Sequence, residues 1–381
     1  MNDRGGDVVV VGAGLIGLAI AFELSSRGAS VRVYDRGEPG RGASWAGAGM
    51  LAPNSERLED EALLSLATAS LAQYPAFVER VRDASGIDAC LRLNGVVHAA
   101  FEERRLEDLR EHARDLLDRG IACEVLDRVS VLSAEPCLGS GVLGGLVVHG
   151  EGWVDNRRLG RALAAACTVR GVRIGHSASI GVECDSRRVL GVRTSAGFVA
   201  ASAVVNACGA WAGQLAGVPE PCRPPVGPVK GQMLAVAAPV GFLRRATWVP
   251  GAYLVPRDGG RLLVGATVER AGFDERVTAA GLHDLLHAAL AGAPSLGGFS
   301  VTESWAGLRP GTPDGRPFIG PTAVDGLFVA AGHFRNGILL APATARLVAD
   351  AIERGPIAEG LPFLLARLGT EAAVPGRMVR T

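Results

Sequence analysis

Lysine is nearly missing from this chain: among 39 basic residues, Lys230 is the only one. The skew to arginine follows overall composition and excludes no function, but it marks Lys230 as a position where arginine is not used. Net charge is missing as well. The 39 basic residues are matched by 39 acidic ones, which argues against nucleic acid or an anionic membrane as partner, because both attract an excess of positive charge. No run is long enough to span a bilayer, so membrane insertion is not expected. The seven cysteines show no Cys-x-x-Cys spacing, the pattern of free thiols in a reducing cytoplasm. His283 and His287 share a helix face without a third ligand nearby, so no metal centre is expected.

The apolar stretch 8–22 resembles a leader at first sight. Asp3 and Asp7 offset Arg4, however, so the basic start that a leader needs is poor. Cleavage after this stretch would also destroy the glycine pattern inside it. A signal peptide is therefore rejected, and a cytoplasmic location is expected.

At 381 residues, 48% hydrophobic and 20% charged, the chain suits two globular domains with a substantial core. It opens with an apolar strand over 8–11. Gly12–Gly17 then turns into a helix over 15–27 that Gly28 ends, and a second strand over 31–34 is closed by Asp35. This is a complete strand–helix–strand opening of the dinucleotide-binding type. Gly12 permits the tight turn, Gly14 lets the backbone approach a pyrophosphate, and Gly17 lets the helix pack on the strand. The helix start offers unpaired amides and partial positive charge to phosphates. Asp35, 18 residues past Gly17, is placed to accept ribose hydroxyls and to repel a 2′-phosphate. Gly12, Gly14, Leu15, Ile16, Gly17, Asp35 and Arg36 are the candidate contacts here.

Further on, periodicity predicts amphipathic helices over 61–82 and 106–119, and a helix over 156–169 capped by Asp155. Strands are expected over 95–99, 172–174, 191–194, 204–207, 232–236, 252–256, 261–266 and 327–331, with a helix over 337–352. The proline-rich stretch 222–228 reads as a crossing between domains. Nucleotide-type signals occur at both ends and in the middle. The fold class expected is therefore α/β (α+β), a Rossmann-type domain interleaved with a substrate domain built on an antiparallel sheet.

The segment 304–345 is the most informative. It reads Ser-Trp-Ala-Gly-Leu-Arg-Pro-Gly-Thr-Pro-Asp-Gly-Arg-Pro and later Gly-His-Phe-Arg-Asn-Gly-Ile-Leu-Leu-Ala-Pro-Ala-Thr. With the glycine fingerprint, the small-residue run 41–50 and Val204–Trp211, it resembles the FAD-dependent amine oxidases of the D-amino-acid oxidase superfamily, and within it the glycine oxidase family. The resemblance implies a Rossmann-type FAD-binding domain over 1–53, 150–222 and 322–365. It implies a substrate domain over 54–149 and 223–321, and a tail over 366–381. FAD, held without a covalent link, would touch Ala43, Ser44, Ala48, Gly49 and Met50 in the first half. Ser179 matches a backbone contact to adenine. In the tail motif, Gly332, His333, Phe334, Asn336, Gly337, Ile338 and Leu339 would face the flavin, with a helix start at Asn336–Gly337 stabilising its reduced, negative form.

On the substrate side the resemblance assigns Arg309 to the substrate carboxylate, Tyr253 to helping it, and Arg335 to the wall of the site. Arginine suits this task because its two parallel donors match two carboxylate oxygens. The implied reaction is oxidation of glycine or a small amino acid such as sarcosine or D-alanine, by hydride transfer to flavin N5. Oxygen would be reduced to hydrogen peroxide, and the imine would be hydrolysed or passed on, as in thiamine thiazole synthesis. A homo-oligomer would also fit the family. Trp248 and Gly251 stand where some glycine oxidases carry Tyr and His, and Val268 stands where a larger side chain is common, so a wider pocket is expected. Two alternatives stay open: a dehydrogenase subunit that passes electrons to a partner, and a flavin-binding protein without turnover.

Overall fold

Four consecutive valines build the first layer. In the computed structural model, which describes residues 8–356 and 358–369, Val8–Val11 lies at the centre of a six-stranded sheet. The strand order is Phe318–Pro321, Leu327–Ala331, Ala203–Asn206, Val8–Val11, Val31–Asp35, Arg173–His176. All neighbours run parallel except the first pair. A strand alternates its side chains between faces. Accordingly, Val8 and Val10 pack with the helices Leu15–Ser26, Glu61–Ser85, Asn156–Val169 and Ala341–Arg354. Val9 and Val11 instead pack with Val182, Val189 and Val192 of a small antiparallel sheet. A central strand buried on both faces has to be apolar throughout, as this one is.

The second layer is an eight-stranded sheet, nearly all antiparallel, containing Val301–Gly311, Gly227–Ala237, Arg261–Gly265, Ala252–Arg257, Ala246–Val249, Val96–Ala100, Gly144–Val148 and Cys123–Asp127 in that order. One face carries Leu234, Leu254 and Val264 against the helix Ala279–Gly292. The other carries Met233, Val255 and Trp305 against Ala46, Ala48 and Met50 of the loop after the first nucleotide unit. That second contact brings the two sheets together.

Most expected elements are present, and Asp155 caps its helix by accepting the amides of Arg157 and Arg158 at 3.1 and 3.0 Å. Three features differ. The helix Glu61–Ser85, expected within the substrate domain, buries Leu63, Leu66, Tyr74 and Phe77 in the core of the parallel sheet. Val301–Gly311 is an eleven-residue strand that the sequence reading left unassigned, its glycines and prolines masking the pattern. The last long helix starts at Ala341, not at 337, with a turn over 337–340 before it. Of the expected tail 366–381, residues 366–369 belong to the short helical turn Leu365–Gly369, and Arg367 there pairs with Asp314 at 2.8 Å. Residues 370–381 lie outside the described residues.

The late helix start has a physical cause. Pro342 has no N–H to give the carbonyl of Ile338, and the Tyr74 hydroxyl donates to that carbonyl instead, at 2.6 Å. The Ser70 hydroxyl donates to the carbonyl of Leu339 at 2.7 Å and accepts the amide of Ala343 at 3.2 Å, standing between two groups that a helix would pair directly. Tyr74→Phe would remove the shorter of the two hydrogen bonds to the Ile338 carbonyl, leaving only the amide of Ala341 at 3.2 Å. We expect a loss of about 0.5–1.5 kcal/mol, read as a lower urea midpoint of the holoprotein.

Candidate functional site

A cavity of about 630 Å³ opens where the two sheets meet. Gly12, Gly14, Ile16, Asp35, Arg36, Ala43, Ser44, Ala48, Gly49, Met50 and Ser179 line it from the nucleotide side. His333, Phe334, Gly337 and Ile338 line it from the late loop, and Tyr253, Arg309 and Arg335 complete the wall. Leu15, Gly17, Gly332, Asn336 and Leu339, expected as contacts, do not face the cavity. Gly17 serves packing, since a Cβ there would collide with the carbonyl of Gly12. Leu15 contributes its amide to Ser44 Oγ at 2.9 Å. Trp248 and Gly251 do not line the cavity either. Trp248 stacks on His98, 4.8 Å between ring centres, and meets Tyr253 edge-on, so it buttresses the wall from behind. Val268 does line the cavity and is partly exposed.

The nucleotide end of the cavity is set by short loops. Asp35 accepts the amides of Ala13 at 2.6 Å and Gly37 at 2.8 Å, which fixes its carboxylate at the strand end. Gly12, at φ 110°, has no room for a side chain, because a Cβ would run into the carbonyl of Ala207. Gly14 caps the helix without a side chain to accept its first amides. Arg36 lies over the Trp211 ring, 4.2 Å from its centre, and Trp211 leans on Phe273. The sequence reading quoted Trp211 only as part of a strand-end motif.

Arg309 is threaded past Gly231, where any Cβ would strike the guanidinium. Its Nη1 donates to the carbonyls of Thr267 and Lys230, at 3.0 and 3.3 Å, and among the described residues no carboxylate pairs with it. Burial lowers its pKa, which the neighbouring Tyr253 partly offsets. Burial raises the pKa of the Tyr253 hydroxyl, and the Arg309 cation opposes the rise. The buried Lys230 faces away from the cavity wall. Its Nζ meets Glu269 at 3.2 Å, and Glu269 also accepts Gln232 Nε2 at 2.7 Å and the Thr267 hydroxyl at 2.5 Å. This network steadies Thr267, whose carbonyl aims Arg309. His333 is buried, bonded through Nε2 to the Thr344 hydroxyl at 3.0 Å, and burial drops its pKa to about 3. It stays neutral at ordinary pH.

Glu56 is the residue the sequence reading missed. It lines the cavity, and its Oε2 stands 3.6 Å from Arg335 Nε. The sequence offered no signal for it, because Glu56 stands in a short polar stretch, 54–57, outside every motif that carries the resemblance. Behind that turn, the buried carboxylate of Glu151 accepts the amides of Asn54 at 2.6 Å and Ser55 at 3.2 Å. Among the described residues no group of three or more His, Cys, Asp or Glu is arranged to hold a metal ion, and no helix is long and apolar enough to cross a membrane.

The sequence profile of the family described as FAD dependent oxidoreductase matches residues 7–351. The glycine oxidase of Geobacillus kaustophilus is 40% identical, covering 95% of this chain and 97% of that protein. The glycine oxidase of Pseudomonas aeruginosa is 38% identical, covering 95% and 98%. The crystal structure of glycine oxidase from Geobacillus kaustophilus aligns with a TM-score of 0.89 over 95% of this chain and 98% of that one, at 40% identity.

Burial pushes the carboxyl of Glu151 up to about 7 from its ordinary 4.5, against the pull of the amides it accepts. Between those two values the folded state holds a proton that the unfolded state releases. Its contribution is therefore present at low pH and lost as pH rises to about 7, a span of roughly 3 kcal/mol. Glu135, also buried and pushed up to about 7, acts with the same sign. Glu151→Gln keeps an acceptor for both amides and removes the titration. Urea unfolding from pH 4.5 to 7.5 is expected to show a shallower loss of stability in the variant, and equal slopes would exclude this assignment.

Proposed function

The chain belongs to the FAD-dependent oxidoreductase family, and from that premise we propose that it oxidises glycine or another small amino acid to the imine, with oxygen reduced to hydrogen peroxide. The observation that carries this reading is Arg309: a half-buried, aimed guanidinium with no carboxylate partner among the described residues, on the wall of a cavity lined by the dinucleotide fingerprint. The glycine oxidases it resembles add the substrate class.

The residues present fit FAD. Gly12 and Gly47 keep the backbone bare where a Cβ would strike Ala207 and Ile338, respectively. The helix start at Gly14 suits a pyrophosphate, and Asp35, Arg36 and Ser179 line the part of the cavity that takes the adenosine half. The amides of Gly337, Ile338 and Leu339 have no acceptor among the described residues. Gly337 and Ile338 border the cavity there, so donors stand ready for the electron-rich end of an isoalloxazine ring. When bound, FAD supplies the two-electron acceptor and the route to oxygen.

The chain's own part is to bind and orient. Arg309 takes the substrate carboxylate through two parallel donors, and the Tyr253 hydroxyl beside it donates a further hydrogen bond to the carboxylate. Met50, Met233 and Val268 give the apolar wall that keeps water from the α-carbon. Fixing the carboxylate sets the α-hydrogen's direction, so positioning contributes most of what the protein adds.

The direct test is to add glycine, then sarcosine and D-alanine, to the yellow holoprotein without air. Bleaching of the flavin, followed by peroxide when air is admitted, is expected. Bleaching without peroxide would move the assignment to a dehydrogenase, and no bleaching by any amine would remove the activity. Arg309→Ala should keep its flavin spectrum yet raise KM for glycine about 100-fold, the loss of roughly 3 kcal/mol carried by charge-assisted hydrogen bonds. An unchanged KM would take the carboxylate away from Arg309.

A further inference from the structure

Two arginines face the substrate end of the cavity, and they are not equivalent. Arg309 is held by neutral carbonyls of Thr267 and Lys230 and keeps its charge uncompensated. Arg335 already has a carboxylate, Glu56, with Oε2 3.6 Å from its Nε. Arg309, Arg335, Glu56 and Tyr253 act on one another electrostatically, so they form one charged group. Two positive charges and one negative leave a single positive charge for the ligand.

Glu56 is not a chance surface acid. Its turn is fastened on every side. Its own amide donates to the carbonyl of Ala52 at 3.0 Å, and the amide of Arg57 donates to that of Asn54 at 3.1 Å. Glu151 holds the amides of Asn54 and Ser55 from below. His112 Nε2 lies 3.2 Å from the Asn54 carbonyl. Arg57, in the left-handed region at φ 51°, reaches out to Asp108 at 2.8 Å, leaving Glu56 turned toward the cavity. Such anchoring keeps the carboxylate beside Arg335 whatever enters.

We propose that Glu56 is a specificity-determining residue: by occupying Arg335 it restricts the site to amino acids with one carboxylate and turns away those with a second anionic group. The inference rests on the amino-acid oxidase reading above. A second carboxylate would have to displace Glu56 from Arg335 or lie next to it, and both are unfavourable in a partly desolvated cavity. Replacing Glu56 by glutamine keeps its shape and leaves Arg335 free for a second carboxylate.

The test uses the holoprotein and two carboxylates that carry no amine and are not oxidised, acetate and malonate, with binding followed by the shift in the flavin absorbance. In Glu56→Gln the dissociation constant for malonate is expected to fall at least about tenfold relative to acetate, the size of one charge-assisted hydrogen bond. Glu56→Asp should keep the original preference. Glu56→Gln combined with Arg335→Gln should lose the gain, a pattern that a merely structural role of Glu56 would not produce. Equal shifts for both ligands, or no gain for malonate, would overturn the filter while leaving glycine oxidation standing. Failure of both carboxylates to bind any of these proteins would overturn the carboxylate site itself and the filter with it. If glycine fails to bleach the flavin while the malonate gain is present, the oxidase reading falls and the filter stands.

Discussion

The structure depends on how the backbone of residues 43–51 is held between the two sheets. Its carbonyls are claimed one after another by side chains from separate elements. Asn156 Nδ2 reaches the carbonyl of Ser44 at 2.7 Å, Arg157 Nε that of Trp45 at 3.3 Å, Trp305 Nε1 that of Ala46 at 2.9 Å, and Arg257 Nη2 that of Ala48 at 2.6 Å. Two of these donors ride on the helix Asn156–Val169 of the parallel layer and two on strands of the antiparallel layer. One stretch of main chain is thus the common floor of both sheets and a wall of the cavity. The approach is close because the facing residues are small: a Cβ on Gly49 would strike the carbonyl of Val154, and one on Gly307 would strike Ala46. Arg257 is almost wholly buried, and desolvation lowers its pKa to about 10, so it remains charged near neutrality. The Ala48 carbonyl and Asn156 Oδ1 offset the cost of that burial.

Much of this arrangement is legible in the amino-acid sequence because local rules and the fold agree. The glycine fingerprint, its flanking valines and Asp35 specify one supersecondary unit, and the structure contains it in the expected order of strand, helix and strand. The helix Glu61–Ser85 was legible as a helix but not in its allegiance. Its apolar face reports burial without naming the partner, and the partner proved to be the parallel-sheet core. The strand Val301–Gly311 was hidden for another reason. Gly307 and Pro310 argue against a strand locally, yet Gly307 is required where Ala46 presses in, and Pro310 pairs opposite Pro228 near the strand end. The start of the final helix could not be read locally either. Pro342 is well tolerated in a first turn, and only the hydroxyls of Ser70 and Tyr74, distant in sequence, determine where that turn begins.

The site divides in the same way. Arg309, Tyr253 and Arg335 lie in recognisable motifs, and the structure brings all three to one cavity. Glu56 and Gly231 carry no local signal. The meaning of Glu56 is its partner, which sits on a loop almost at the other end of the chain. The meaning of Gly231 is the side chain it does not have, which becomes visible only once Arg309 occupies the space. Lys230, conspicuous by its rarity, turns out to act one step behind the wall, through Glu269 and Thr267.

What the cavity lacks as a working group explains how it is built. A base able to take a proton from the α-carbon would need to be both free and close to neutral pH in its titration. His333 is neutral, buried and committed to Thr344. The Tyr253 hydroxyl is driven upward by burial and holds its proton. Glu56 is engaged by Arg335. On the proposed reading, none of these three side chains moves the substrate's proton. On that reading the chain excludes water, fixes one carboxylate on one guanidinium and presents the α-carbon to the cofactor, so its contribution is orientation. That is consistent with the investment seen elsewhere in the molecule: four side chains to immobilise one loop, two hydroxyls to set one helix start, and a buried lysine network to aim one arginine.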